Sequence, residues 1–245
     1  MKLYPDILKD ASKGKKKLSV LIDPDKTTGE ALKKISKLAT DACLDYFFIG
    51  GSLLMRDTQD QCLAYLREHT RIPVIIFPGN SLQINSRAHA ILLLSLISGR
   101  NPEMLIGKHV VAAPLLKASK LEVISTGYLL IENGLPTSVA YMSNTMPIPA
   151  NKPEIAVCTA MAGEMLGMKL IYLDAGSGAM NPVPSEMINQ VKKNISIPLL
   201  IGGGISNPKK AKEALDAGAD MIVVGNAIEK KPELILRIAQ VIQTF

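Results

Sequence analysis

The 245-residue sequence contains no tryptophan, and aromatic residues make up only 4% of it. So few rings leave little on which nucleic-acid bases could stack, and no nucleic-acid partner is expected. Cysteine is scarce too. Cys43, Cys62 and Cys158 are odd in number and have no C-x-x-C spacing. They read as reduced core thiols of a cytoplasmic protein, not as disulfides or zinc ligands. The opening "MKLYPDILKD" has no apolar signal core. The longest apolar run, "AILLLSLI" at 90–97, falls well short of the ~20 residues of a membrane helix. No Pro/Gly/Ser-rich linker divides the chain, so one domain is expected over 1–245.

Basic residues are in excess. The net charge is +6, with a local run "KGKKK" at 13–17 that reads as a solvated basic loop. The balance favours anionic partners, either phosphorylated ligands or acidic headgroups in transient contact with a membrane surface.

Short apolar runs alternate with stretches of helical periodicity. The predicted strands are 18–23, 46–50, 73–78, 90–96, 122–131, 169–174, 197–202 and 220–225. Between most of them lie amphipathic segments such as "GEALKKISKLATDA" and "NPKKAKEALDAGA". Strands apolar on both faces, alternating with helices, predict right-handed βαβ units and a parallel sheet. Eight of them in a chain of this length predict an α/β fold of the closed (β/α)8 TIM-barrel type. An open doubly wound sheet would need a dinucleotide fingerprint near the first strand, and "LIDPDKTTGE" has none. The segment "GNSLQINSRAH", 79–89, is polar and short for a crossover, so the third helix should be reduced or absent. "DYFFIGGSLL" at 45–54 and "DMIVVGNAI" at 220–228 echo one another weakly.

Barrel enzymes work at the C-terminal ends of their strands. The residues there are Asp23, Gly51–Ser52, Gly79–Asn80, Asp174–Gly178, Gly202–Gly204 and Gly225–Asn226. Glycine-rich turns after strands six, seven and eight can aim backbone N–H groups at one anion, which predicts a phosphate site. Asp23 is a hard oxygen ligand suited to Mg²⁺, to which Ser52 can add a hydroxyl. Asp25 and Lys26 are expected on the surface, with Lys26 able to face a diphosphate. Asp174, beside a fixed phosphate, is either a general base for a substrate hydroxyl or a cap on its own turn. His69, His89 and His109 have no Ser or Asp partner at a strand end and receive no catalytic role.

The segments "LIDPDK", "FIGGS", "FPGN", "SGRNPEMLIGKHV", "TSVAYMSNTMPIP", "YLDAGSGA", "IGGGI" and "VGNAI" together resemble the geranylgeranylglyceryl phosphate synthases and their bacterial heptaprenyl relatives. The likeness runs from about residue 15 to the C-terminus. It implies a TIM-type barrel that joins sn-glycerol 1-phosphate to a polyprenyl diphosphate, forms an ether and releases diphosphate. It also implies that Tyr172, Leu173, Asp174, Ala175, Gly176, Ser177, Gly178, Gly203, Gly204, Gly225 and Asn226 bind the glycerol phosphate. By the same resemblance Asp23 and Ser52 hold Mg²⁺ and Asp174 deprotonates the glycerol hydroxyl. The assembly is expected to be a homo-oligomer, a dimer or a hexamer.

Two positions depart from the family pattern. The common archaeal form has Glu where this chain has Asp174. Some bacterial relatives have Lys where it has Leu21, so a cationic contact is expected from Lys26 or Arg100. The prenyl channel is expected along strands two to five. The alternatives are another phosphate-binding barrel enzyme, or a barrel that binds a phosphorylated ligand without catalysis. The first would need a Lys/Glu pair or metal-binding histidines at strand ends, and neither appears.

Overall fold

Along β2 (Tyr46–Ile49), Tyr46 and Phe48 pack into one apolar cluster, and Phe47 and Ile49 into another. This two-residue alternation, with both faces buried, is what a parallel strand in a barrel wall requires. The structure is a computed structural model that describes residues 2–27, 29–51, 55–56, 58–80 and 83–245.

Eight parallel strands close in chain order. They are β1 (Lys17–Ile22), β2, β3 (Val74–Ile76), β4 (Ala90–Leu96), β5 (Glu122–Leu130), β6 (Leu170–Asp174), β7 (Leu199–Gly202) and β8 (Met221–Val224). The ring is completed by β8 on β1, with Lys17 opposite Met221 and Val20 opposite Val224. The connecting helices are α2 (Gly29–Asp41), α3 (Gln59–His69), α4 (Lys108–Ser119), α5 (Ser138–Ser143), α6 (Pro153–Met165), α7 (Ser185–Asn194), α8 (Pro208–Asp216) and α9 (Asn226–Lys230). The chain then ends in α10 (Leu234–Ile242). A π-helical turn, Glu103–Gly107, leads into α4. Local chemistry starts two of these helices: Thr137 accepts the Ala140 N–H at α5, and Asn207 accepts the Lys210 N–H at α8. No helix among the described residues is long and apolar enough to cross a membrane.

The predicted strands all appear, shortened by a residue or two at some ends. The third crossover helix is absent among the described residues between β3 and β4. Polar side chains pin that segment instead: Asn85 and Arg87 both donate to the Asp60 carboxylate of α3 at 2.8 Å.

Other expectations need correction. The N-terminal helix α1 (Tyr4–Ser12) has no counterpart in the sequence reading. It seals the N-terminal end of the barrel, with Leu3 and Ile7 in the interior cluster and the Leu3 and Tyr4 N–H groups donating to Glu122. The "KGKKK" run is only partly a solvated loop. Lys17 pairs with Asp10 at 2.9 Å and Asp45 at 2.8 Å, because it begins β1 rather than preceding it. Of the three free thiols only Cys62 is core, and Cys43 and Cys158 are exposed. Cys43 sits at a left-handed turn position (φ 52°) after α2, and Cys158 lies on the outer side of α6.

The echoed segments share a structural task. Asp45, just before β2, accepts the Leu18 N–H of β1 at 2.9 Å. Asp220, just before β8, accepts the Leu199 N–H of β7 at 2.8 Å. Each ties the start of its strand to the neighbouring one.

Candidate active site

Strand parity puts two carboxylates at the open end of the barrel. Leu21 and Tyr172 face inward, so Asp23 and Asp174, two residues further along, continue the inward series. Both line a cavity of about 320 Å³ at the C-terminal ends of the strands. Tyr172, Asp174, Gly176, Ser177, Gly178, Gly203, Gly204, Gly225, Asn226 and Asp23 all line it. Leu173 and Ala175 do not: Leu173 packs outward against the helices, and Ala175 is buried with its N–H donated to the Gly202 carbonyl. Ser52 lies outside the described residues.

The turns after β6, β7 and β8 are packed on one another. A Cβ added at Gly203 would stand 2.7 Å from Asp174 Oδ1 and from the Gly176 nitrogen, so only glycine lets these loops meet. Ser177 Oγ donates to Asn226 Oδ1 at 3.0 Å, which links the first loop to the third. The N–H groups of Gly178, Gly203 and Gly204 have no acceptor among the described residues. Backbone donors converging in this way form an anion site.

Asp174 is buried, and both of its oxygens are engaged. Oδ1 accepts the Gly176 N–H at 2.8 Å, the turn-capping contact, and Oδ2 accepts the Tyr128 hydroxyl at 2.6 Å. Burial lifts its pKa above the ordinary carboxylate value, and these two donors oppose the rise. Burial also pushes the Tyr128 and Tyr172 phenols far up, with the charge of Asp174 adding to the effect. Tyr128 was not found from the sequence, where it is one more apolar residue of a strand.

On the β1 wall of the cavity Lys26 Nζ lies 2.6 Å from Asp23 Oδ2, and this contact raises the lysine pKa. Glu229 accepts the Asp23 N–H at 3.2 Å, and burial raises its pKa. Lys26 is thus the expected cation of this wall, beside Leu21. Arg100 is not, because its guanidinium donates to the carbonyls of Ile97 and Gly99 instead.

Does this wall suit a Mg²⁺ ion? Asp23 presents hard oxygens that Gly51 leaves uncovered on one side, since a Cβ there would stand 3.3 Å from the carboxylate carbon and both oxygens. Its Oδ1 accepts the Asp25 N–H at 3.1 Å and its Oδ2 pairs with Lys26 at 2.6 Å. No group of three or more His, Cys, Asp or Glu suited to a metal occurs among the described residues. One or two carboxylates completed by water and substrate phosphate is a usual Mg²⁺ environment, and the donor set fits it.

An apolar groove of about 150 Å³ joins the cavity, sharing Gly51, Phe77, Tyr128 and Val139 with it. It runs over Ile91–Leu96 of β4 and against Met104, His109, Ala112 and Leu116. The expected lining by strands two to five is therefore corrected: neither β2 nor β3 gives a side chain from within the strand, and α4 supplies a whole wall. His109 Nε2 is held 2.9 Å from the Leu94 carbonyl, and His69 and His89 lie away from both hollows.

The chain is 52% identical to the geranylgeranylglyceryl phosphate synthase of Spirosoma linguale, over 95% of its own length and 93% of that protein's. It is 50% identical to the synthase of the same name from Chitinophaga pinensis, over 98% and 96%. Its fold superposes with a TM-score of 0.94 on the crystal structure of (S)-3-O-geranylgeranylglyceryl phosphate synthase from Thermoplasma acidophilum in complex with its substrate sn-glycerol-1-phosphate. That pair is 32% identical over the whole of both chains. The PcrB family model matches residues 11–244, and the chain belongs to that family.

Proposed function

We propose that the chain transfers a polyprenyl group, geranylgeranyl as the first choice, from its diphosphate to sn-glycerol 1-phosphate in ether phospholipid synthesis. One observation carries this reading. A glycine-lined cavity that holds Asp23, Lys26 and Asp174 and an apolar groove meet at a shared wall, with a buried carboxylate beside it. The cavity suits a phosphorylated polyol and the groove an isoprenoid tail. The names of the related synthases, and the glycerol phosphate bound to the Thermoplasma acidophilum protein, support the same reading.

In this reading the N–H groups of Gly178, Gly203 and Gly204 hold the phosphate, and Ser177 and Asn226 keep the loops in register. The glycerol hydroxyl then lies within reach of Asp174. Its oxygen attacks C1 of the allylic diphosphate and its proton passes to Asp174. The C1–O bond breaks, and diphosphate leaves with the electron pair. Holding both substrates in place supplies the near-attack geometry that such a displacement needs. Lys26 faces the departing diphosphate. Asp23 is the proposed holder of Mg²⁺, together with Ser52, and Mg²⁺ bound there would neutralise charge on the leaving group.

A second copy of the chain is the proposed cover for the outer faces of α4 and α6, where Val110, Val111, Leu115, Met165 and Leu166 are exposed. The exposed free thiols Cys43 and Cys158 fit a reducing, cytoplasmic setting.

The test is incubation with labelled sn-glycerol 1-phosphate, Mg²⁺ and polyprenyl diphosphates of increasing length. An ether product is expected, with sn-glycerol 1-phosphate strongly preferred over its enantiomer. No product with any donor, or equal kcat/KM for the two enantiomers, would overturn the reading.

A further inference from the structure

Tyr128 stands opposite Tyr172 in the β5–β6 ladder, one inward layer below the Leu130–Asp174 pair. From there its hydroxyl reaches up to Asp174 Oδ2 at 2.6 Å. The ring cannot easily swing away, being packed edge-on against Phe77 at 6.0 Å and Tyr172 at 5.5 Å between centroids. The same ring lines both the cavity and the groove.

We propose that Tyr128 positions Asp174 for proton abstraction, its phenol holding one carboxylate oxygen while its ring walls the glycerol-phosphate cavity from the tail groove. The inference rests on the prenyl-transfer reading above. An ionised carboxylate offers about four acceptor sites. With the Gly176 N–H on one oxygen and the Tyr128 O–H on the other, the plane of the carboxylate is fixed and the remaining sites are left for a substrate hydroxyl. Burial keeps the phenol protonated, so Tyr128 acts only as a donor and favours the charged form of its partner.

The titratable groups directly against Asp174 are Tyr128 from β5 and Tyr172 from β6. Asp23 and Lys26 line the same cavity from the β1 side, and Glu229 and Lys230 from the β8 side. From the loop after β7 the backbone at Gly203 packs against the carboxylate. Among the described residues no cation offsets the burial of Asp174, which leaves its two hydrogen-bond donors to stabilise the ionised form.

Tyr128→Phe removes the hydroxyl and keeps the ring. Protein labelled with [¹³C-carboxyl]Asp is titrated by NMR without substrates, alongside steady-state kinetics. The expected result is an upward move of the Asp174 midpoint and of the acidic limb of kcat. With it kcat should fall roughly 10–100-fold, the scale of a misplaced reacting group, while KM for glycerol phosphate changes less than about threefold. Tyr128→Leu, which also removes the ring, should raise KM for the prenyl diphosphate more than that for glycerol phosphate. An unmoved Asp174 midpoint in Tyr128→Phe overturns the positioning role, and equal effects on the two KM values in Tyr128→Leu overturn the wall. Wild-type protein that makes no ether product refutes the prenyl-transfer reading, and the substrate-free titration tells that failure from this one.

Discussion

Ser177 Oγ donates to Asn226 Oδ1 at 3.0 Å, joining the loop after β6 to the loop after β8 across the mouth of the barrel. The bond touches none of the reacting atoms in the proposed reaction. It holds the two sides of the anion site at a fixed distance. Asn226→Ala should therefore act on binding, raising KM for glycerol phosphate about tenfold, the equivalent of a hydrogen bond worth roughly 1.4 kcal/mol. kcat should stay within about threefold. Steady-state kinetics with glycerol phosphate varied would decide, and an effect confined to kcat would count against a binding role for these loops.

Two glycines separate packing from ligand contact. Gly203 and Gly178 both have left-handed backbones, at φ +78° and +76°. A Cβ at Gly203 would meet Asp174 Oδ1 at 2.7 Å and the Ala175 nitrogen at 2.8 Å, whereas one at Gly178 would meet only Asn226 Nδ2 at 3.6 Å. Both substitutions to Ala carry a backbone strain of roughly 1–2 kcal/mol. Gly203→Ala adds overpacking of typically 1–3 kcal/mol. Thermal melts should rank wild type above Gly178→Ala and Gly178→Ala above Gly203→Ala, and a reversal of the last two would refute the packing explanation.

The metal proposal can be checked apart from turnover. Mn²⁺ can report on a Mg²⁺ site by electron paramagnetic resonance. Asp23→Ala should abolish the Mn²⁺ signal change that diphosphate produces in the wild type. Calorimetric affinity for glycerol phosphate should stay within about threefold, since in the proposed reaction that ligand is held by the backbone N–H groups of Gly178, Gly203 and Gly204 and not by Asp23. A variant that still binds Mn²⁺ as the wild type does would remove Asp23 from the metal site.

The strands were legible because each is apolar on both faces and flanked by helical periodicity, a signal carried within a few consecutive residues. The polar 79–89 segment signalled in the same way the crossover helix that is absent among the described residues there. What escaped depends on contacts between distant parts of the chain. Tyr128 looks like a core residue of "STGYLLI" until the fold brings it to Asp174, 46 residues away. Helix α1 is held by Glu122, more than a hundred residues on, and nothing in "YPDILKDAS" announces that partner. The groove is built from β4 and α4 together, so neither segment alone displays it. Lys17 looks like part of a basic loop until the fold brings together its ion-pair partners, Asp10 and Asp45, from separate elements.

The last prediction concerns Asp174 itself. Burial raises its pKa in the folded protein above the unfolded carboxylate value of about 3.9. The folded state therefore binds this proton more tightly than the unfolded chain does. The contribution of the group to stability is complete below the unfolded pKa and is lost as pH rises through the folded pKa. At neutral pH the ionised side chain therefore costs stability. Asn keeps the shape and can satisfy both neighbours, accepting the Gly176 N–H through its oxygen and donating to the Tyr128 oxygen through its amide. Asp174→Asn should melt at a higher temperature than the wild type at pH 7, and the gap should close towards pH 4. Its kcat should fall by about 10²–10⁴, the usual worth of a general base. Asp174→Glu keeps a carboxylate and should retain much of the rate. A more stable and nearly inactive Asn variant is the pattern expected where a site is kept charged for function at the expense of stability. Melting curves at several pH values, paired with kcat, measure both effects. If Asp174→Asn were no more stable at pH 7 and altered only KM, the carboxylate would be a turn cap and binding group, with the proton going elsewhere.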